Sequence, residues 1–134
     1  MAVPFLLCMA LVAQVYALPP RVLPSIQAVE GGAPGVVHLN KDGSEDLGVM
    51  QVNTTWIPRL VRYTRLDPAT VRTRLVGDGC FNIAAAGLIM RTYLDEASGD
   101  LMRAVGNYHS HTPTFHEAYK TKVLRSATRL FAGR

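Results

Sequence analysis

The sequence predicts a small α+β domain that is mostly helical, with one short β ribbon. Apolar residues recur at helical spacing over most of the chain from Ile26 onward. Between Val36 and Val52 that spacing gives way to two short apolar runs, over residues 36–39 and 47–50. They flank the turn-forming pair Asp42-Gly43, which is typical of a hairpin or irregular ribbon. Hydrophobic residues make up 49% of the chain, enough for one core, and no internal repeat interrupts the pattern.

The N-terminal segment has the pattern of an export signal. An apolar run over residues 5–13 is too short to span a bilayer, and the small-x-small triplet Val15-Tyr16-Ala17 follows it. We therefore predict a signal peptide over residues 1–17 and a single domain over residues 18–134. No Lys or Arg precedes Arg21, which leaves a short N-terminal anchor as the alternative. In the domain so defined, Cys80 is the only cysteine, and no intramolecular disulfide is expected.

Capping residues and glycines place the helices. The first helix of the domain is expected to begin near Pro24 and to end before Gly31 and Gly32. Thr54 or Thr55 is expected to cap the next helix, in which a proline in the first turn is tolerated. Small residues near Gly87 would let another helix approach the longest helix closely. The further helices are expected over residues 67–75, 81–96, 100–108 and from 113 onward.

The charge of the chain is moderately basic. Fourteen Lys and Arg against ten Asp and Glu give a net charge of +4 and a pI near 9.4. Such a balance favours an anionic partner such as cell wall, nucleic acid or lipid headgroups, without choosing between them. Nucleic acid is disfavoured because the basic residues lack interleaved aromatics and the chain carries an export signal. The basic face of the last helix is interpreted as a solvated surface, with a wall-binding or membrane-facing strip as the alternative; it comprises Lys120, Lys122, Arg125 and Arg129.

Glu30 is the leading candidate for chemistry. It lies at the end of a helix among apolar residues and is followed, about twenty residues later, by a loop containing Gly48, Met50, Gln51 and Asn53. A carboxyl group among apolar side chains resists ionising, so at neutral pH it can still donate a proton to a leaving group. Cleavage of a glycosidic bond needs such an acid. The structural alternative is a solvated carboxylate at a helix end.

Several segments together resemble the soluble lytic transglycosylases. These are residues 26–32, 42–53, 78–83 and 104–108, and the resemblance covers nearly all of residues 24–131. It is greatest to the small single-domain members that accompany conjugation, secretion and pilus machines. The resemblance implies a lysozyme-like fold of the goose type, a periplasmic location and a partner complex of that kind.

The resemblance also implies a reaction that needs one carboxyl group and no cofactor. Glu30 would protonate the oxygen that links N-acetylmuramic acid to N-acetylglucosamine in peptidoglycan. The C6 hydroxyl of the muramic acid would then attack the anomeric carbon, Glu30 would take the hydroxyl proton, and a 1,6-anhydro end would form. Tyr108 would orient the acid through its hydroxyl. The remaining residues implied at the site, as walls of the cleft, are Gly48, Met50, Gln51 and Asn53.

The sequence departs from the family pattern at several positions and leaves two other functions open. Gly31 replaces the usual serine after the acid, and residues 108–111 read Tyr-His-Ser-His. Relatives often pair a cysteine at the position of Cys80. A carboxylate among Asp42, Glu45 and Asp46 could activate water and make the protein a lysozyme-type hydrolase. A domain that has lost turnover would be a peptidoglycan-binding assembly factor.

Three histidines near the C-terminus raise a metal hypothesis. His109, His111 and His116 lie close together in the sequence, but no carboxylate or cysteine joins them at the usual ligand spacing. We therefore predict no metal site and interpret these residues as surface or cleft-lining histidines.

Overall fold

The computed structural model describes residues 5–132, and helices account for 67% of these residues. A small three-stranded antiparallel sheet accompanies them, and this confirms the predicted mostly helical α+β class. The helices are α1 (Leu6–Val15), α2 (Val22–Glu30), α3 (Ile57–Thr64), α4 (Pro68–Gly77), α5 (Gly79–Glu96), α6 (Leu101–His109) and α7 (Pro113–Phe131). The strands are β1 (Val37–Leu39), β2 (Glu45–Leu47) and β3 (Val52–Asn53).

Aspartate side chains begin three of the helices. Asp67, Asp78 and Asp100 each accept a hydrogen bond from a backbone N–H in the first turn of α4, α5 and α6. Pro68 and Pro113 occupy first-turn positions of α4 and α7, where the missing N–H has no helical acceptor. These local signals explain why the predicted helix boundaries agree with the structure to within a few residues.

The sheet is a meander in the order β1-β2-β3, with β2 pairing on both sides. The predicted second strand over residues 47–50 is wrong in its bounds, because β2 ends at Leu47 and residues 48–51 form a turn. Gly48 at φ 70° and Gln51 at φ 54° cannot continue an extended strand. Asn53, rather than either threonine, caps the 3-10 turn before α3 by accepting the N–H of Thr55.

Helix α5 is the central element of the core. It packs against α1, α4 and α6, and its residues Ile83 and Met90 are fully buried. The predicted close approach at Gly87 is confirmed, since a Cβ there would collide with Val12 of α1 and with Tyr16 just after it.

Helix α1, within the segment predicted to be a signal peptide, packs against the rest of the chain in the structure. Met9 and Ala13 are buried in the core, and Cys8 forms a disulfide with Cys80 across a Cα–Cα distance of 5.6 Å. The expected absence of an intramolecular disulfide is thereby corrected. An apolar helix that can pack on α5 has the same hydropathy as the central part of a signal peptide, so the pattern does not separate the two. Cleavage and export stay predictions.

None of the helices in residues 5–132 is both long enough and apolar enough to cross a membrane.

Candidate active site

Glu30 is the last residue of α2, and the backbone that follows brings it against the turn over residues 48–51. Gly31 ends the helix at φ 67°, a conformation that favours glycine, which gives a backbone reason for the departure from serine there. A Cβ on Gly32 would collide with the carbonyl oxygens of Gly48 and Val49. Glycine at position 32 therefore permits the contact between the acid-bearing helix and this turn.

Asn82 of α5 holds the turn over residues 48–51 in place through hydrogen bonds of its side chain. Its fully buried side chain accepts the N–H of Met50 at 2.8 Å and donates to the carbonyl oxygens of Leu47 at 2.7 Å and Leu75 at 2.8 Å. Gly48 lies directly against this amide, because a Cβ there would meet Leu75 O and Asn82 Nδ2. One buried amide thus ties the end of β2, the turn and α4 to the central helix.

Asn82→Ala is expected to reduce the free energy of unfolding by about 3 kcal/mol, because it removes three hydrogen bonds to buried backbone groups. Urea denaturation would measure the loss. Asn40→Ala is the control, since the Asn40 amide donates to Ser44 Oγ at 3.2 Å in a partly buried position. Equal losses for the two variants would contradict the anchoring role of Asn82.

A cavity of about 330 Å³ opens beside Glu30, between the end of α2, the sheet, α5 and α6. Four predicted site residues line it, namely Glu30, Gln51, Asn53 and Tyr108. Most of the other lining residues are polar or aromatic, namely Asn40, Asp42, Ser44, Asp46, Thr55, Trp56, Tyr93 and His109. Val52 and Ile89 are the aliphatic ones. The cavity is therefore suited to a polar ligand with flat apolar faces, such as a saccharide.

Gly48 and Met50 do not line this cavity, which corrects their predicted place in the cleft wall. Met50 is fully buried in the core, and Gly48 packs against Asn82. Both support the cleft through their carbonyl oxygens. Gly48 O accepts from Gln51 Nε2 at 3.0 Å, and Met50 O accepts from the Tyr108 hydroxyl at 3.2 Å.

Asn53 connects the sheet to the cavity. Its Nδ2 donates to Asp46 Oδ1 at 2.9 Å and to Ser44 Oγ at 3.0 Å, while its Oδ1 accepts the N–H of Thr55. Asn53 therefore both caps the 3-10 turn and lines the cavity. Its amide holds the Asp46 carboxylate at the cavity.

Burial raises the pKa of Glu30 to about 7. The negative charge of Asp46 acts in the same direction. The Tyr119 hydroxyl, which donates to Glu30 Oε2 at 2.6 Å, and the positive charge of Lys122 both lower this pKa and offset part of the shift. A carboxyl group with a pKa near 7 keeps a substantial protonated fraction at neutral pH, as a general acid requires.

The tyrosine that contacts the acid is Tyr119 of α7, not Tyr108. The Tyr108 hydroxyl donates to Met50 O, whereas Tyr119 donates to Glu30. Burial raises the pKa of both phenols well above the ordinary value, so both stay protonated donors. The orienting role predicted for Tyr108 therefore belongs, on geometry, to Tyr119. Tyr119 was not among the predicted site residues, and no local sequence signal indicates its contact with Glu30.

Tyr119→Phe is expected to raise the pKa of Glu30, because the variant removes a hydrogen bond that stabilises the carboxylate. Carbon-13 NMR titration of the Glu30 carboxyl would measure the shift. Tyr108→Phe is the matched control and should leave that pKa nearly unchanged, since its hydroxyl bonds to a backbone carbonyl. A shift in the control variant and none in Tyr119→Phe would contradict this assignment.

The three candidate water-activating carboxylates occupy different places. Asp42 and Asp46 line the cavity, whereas Glu45 forms an ion pair with Arg72 at 2.8 Å and does not line it. Asp42 accepts from the N–H and hydroxyl of Ser44, which fixes it within its own turn. Asp46 is near enough to Glu30 to raise its pKa. Among the three, Asp46 is therefore the second carboxylate that the structure brings to the acid.

The three histidines have separate surroundings. His109 lines the cavity, His111 pairs with Glu96 at 2.6 Å, and His116 packs against Gly106 while its Nδ1 lies 3.0 Å from Ser110 O. Across residues 5–132, no group of three or more His, Cys, Asp or Glu side chains is placed to hold a metal ion.

No protein-family model matches this chain, and no curated protein matches it. The resemblance to lytic transglycosylases therefore rests on the motif residues, and the functional argument rests on the geometry of the site.

Proposed function

We propose that this protein is an exported peptidoglycan lytic transglycosylase with a lysozyme-like fold. The observation that carries the proposal is Glu30, a carboxyl group with a pKa of about 7 that borders a polar, aromatic-walled cavity and accepts a hydrogen bond from Tyr119. Export to the periplasm and action within a secretion, conjugation or pilus complex are parts of the same proposal. They rest on the family resemblance, and the Cys8–Cys80 disulfide is of the kind that persists in an oxidising compartment such as the periplasm.

The reaction uses Glu30 first as an acid and then as a base. Protonated Glu30 donates its proton to the glycosidic oxygen, the bond from that oxygen to the anomeric carbon breaks, and N-acetylglucosamine leaves with a free hydroxyl. Positive charge develops on the muramic acid ring. Its own C6 hydroxyl then forms a bond to the anomeric carbon and releases its proton to the Glu30 carboxylate, which restores the starting state. No water is consumed, and the product ends in a 1,6-anhydro ring.

The walls of the cavity would position the sugars for this sequence. The Gln51 amide borders the cavity and offers a donor and an acceptor to hydroxyl and N-acetyl groups. The Asn53 amide can offer only its oxygen as an acceptor, because both its N–H groups donate to Ser44 and Asp46. Trp56 and Tyr93 meet edge to face with their ring centroids 5.7 Å apart, and both line the cavity. Such an aromatic pair gives the apolar faces of sugar rings a rigid surface to pack against.

Lysozyme-type hydrolysis is a second candidate because Asp46 shares the cavity with Glu30. In that reaction Glu30 still protonates the leaving oxygen. Asp46, however, accepts a proton from a water molecule, and the oxygen of that water bonds to the anomeric carbon. The product is a reducing end. The two candidates thus differ in whether an oxygen atom from the solvent enters the product.

Digestion of purified peptidoglycan in water enriched in oxygen-18 separates the candidates. Lytic transglycosylation predicts soluble fragments that carry anhydro ends and no heavy oxygen, as read by mass spectrometry. One heavy oxygen at each new end would instead establish hydrolysis and assign the base role to Asp46. Retained wall binding without any release would identify a non-catalytic binding factor and contradict both.

A further inference from the structure

Glu30 borders a second cavity, of about 220 Å³, on the side of α7. Glu30 and His109 line both cavities, so the two spaces adjoin at the acid. Phe115, Tyr119 and Lys122 form much of the remaining wall of the second cavity. A chain-like substrate bound in the first cavity would therefore continue past Glu30 into the second.

The two cavities carry opposite charge. Asp42 and Asp46 line the first, whereas the only carboxyl group lining the second is Glu30 itself. Lys122 supplies the positive charge of the second cavity and forms no ion pair with any of residues 5–132. Its charge lowers the pKa of both Glu30 and His109. An anionic ligand group is therefore repelled by the first cavity and attracted by the second.

Aromatic side chains form most of the rest of the second cavity's wall that a ligand would contact. Phe115 is 59% exposed at the beginning of α7, where an unpartnered aromatic ring is available to a ligand. The His109 ring stacks on Tyr119 with a centroid distance of 4.8 Å and an interplanar angle of 8°. A cation beside an exposed aromatic ring suits a short acidic peptide that also has apolar side chains.

We propose that the second cavity binds the acidic peptide attached to muramic acid, with Lys122 pairing with a peptide carboxylate and Phe115 packing against its apolar part. This inference rests on the proposed function. In peptide-bearing strands the lactyl carboxyl group of muramic acid is held in the amide bond to the peptide, so the free carboxylates of the substrate belong to its peptides. The charge difference across Glu30 consequently sets the direction of the bound strand, with a peptide-bearing muramic acid on the Lys122 side.

The test compares peptidoglycan strands with and without their peptides, the latter prepared by amidase treatment followed by conversion of the exposed lactyl carboxyl groups to neutral amides. The measured quantity is the ratio of kcat/KM for peptide-bearing strands to that for stripped strands. Lys122→Gln should lower this ratio about tenfold by removing a charge-assisted contact, and Lys122→Arg should retain most of it. Lys120→Gln is the matched control on the same helix. Its ammonium pairs with Glu117 at 3.2 Å and does not line the cavity, so its ratio should equal that of the wild type.

The ratio separates peptide recognition from the acidity of Glu30, because both substrates are cleaved by the same acid. Cleavage of both substrates with an unchanged ratio in Lys122→Gln would overturn the inference and leave the proposed function standing. Cleavage of neither substrate by the wild type would overturn the proposed function and the inference with it.

Discussion

Glu30→Gln is expected to lower the rate of glycan-fragment release by about a thousandfold or more, because a positioned general acid contributes roughly that factor. The amide can still accept the Tyr119 hydrogen bond, so the variant removes the proton donor and little else from the site. Rates of fragment release from purified peptidoglycan would measure the loss. A variant that retains a tenth or more of the wild-type rate would exclude Glu30 as the acid.

The same variant is expected to be more stable than the wild type at high pH. Glu30 has a pKa of about 7 in the folded protein against 4.5 as its ordinary value. Between these values the unfolded chain releases the proton and the folded chain keeps it, so stability decreases as the pH rises from 4.5 toward 7. Above that window the folded state bears the full cost of a partly buried carboxylate, about 2 kcal/mol.

Urea unfolding of both proteins at about pH 4 and about pH 8 tests this linkage. At the lower pH Glu30 is mostly protonated in both the folded and the unfolded wild type. The unfolding free energies of the wild type and the variant should therefore agree closely. At the higher pH Glu30→Gln should exceed the wild type by about 2 kcal/mol. An equal difference at both pH values would show that the change acts through packing and not through ionisation.

Replacing both cysteines by serine is expected to destabilise the protein by about 4 kcal/mol. The Cys8–Cys80 bond joins residues separated by 72 positions, and cross-linking a loop of that length removes much conformational freedom from the unfolded chain. Urea unfolding of the wild type and of the Cys8→Ser, Cys80→Ser protein would measure the effect. A reducing agent should lower the stability of the wild type only. A difference below about 1 kcal/mol would contradict the stabilising role of this bond.

Removal of residues 1–17 should cost more than loss of the disulfide alone. The shortened chain also loses the buried side chains of Met9 and Ala13 and uncovers the face of α5 at Gly87. Denaturation of residues 18–134 beside the double-serine protein would compare the two losses. Equal stability of these two proteins would show that α1 contributes through the disulfide only.

The helices were predictable because their signals are local. Asp78 before an apolar-spaced run and Pro113 at the start of another predict helix starts from a few neighbouring residues. The place of α1 was not predictable, because the same apolar run suits an export signal and a core helix. Only the tertiary contacts of Met9 and Cys8 distinguish the two. Residues 48–50 were predicted to be in a strand and instead form a turn, because the turn depends on hydrogen bonds with the distant amide of Asn82.

The candidate site was predictable only in part, because some of its residues are brought together by tertiary contacts that leave no local sequence signal. Glu30 and its glycines form a local motif, and Gln51 and Asn53 were correctly expected beside it. Tyr119 reaches Glu30 across 89 positions of sequence, and nothing in its own neighbourhood indicates that contact. The sequence does not distinguish Asp46 from Asp42 and Glu45 as a candidate base. In the structure, the pairing of β2 with β3 places the Asp46 side chain beside Asn53.

The role of Glu30 in glycan cleavage can be tested in a single digestion. Purified peptidoglycan is incubated with the full chain or with its Glu30→Gln variant, and the soluble fragments are analysed by mass spectrometry. We predict fragments with 1,6-anhydro-muramic ends from the wild type and essentially none from the variant. Absence of soluble fragments from the wild type, or equal release by both proteins, would contradict the assignment of Glu30 as the acid of a lytic transglycosylase.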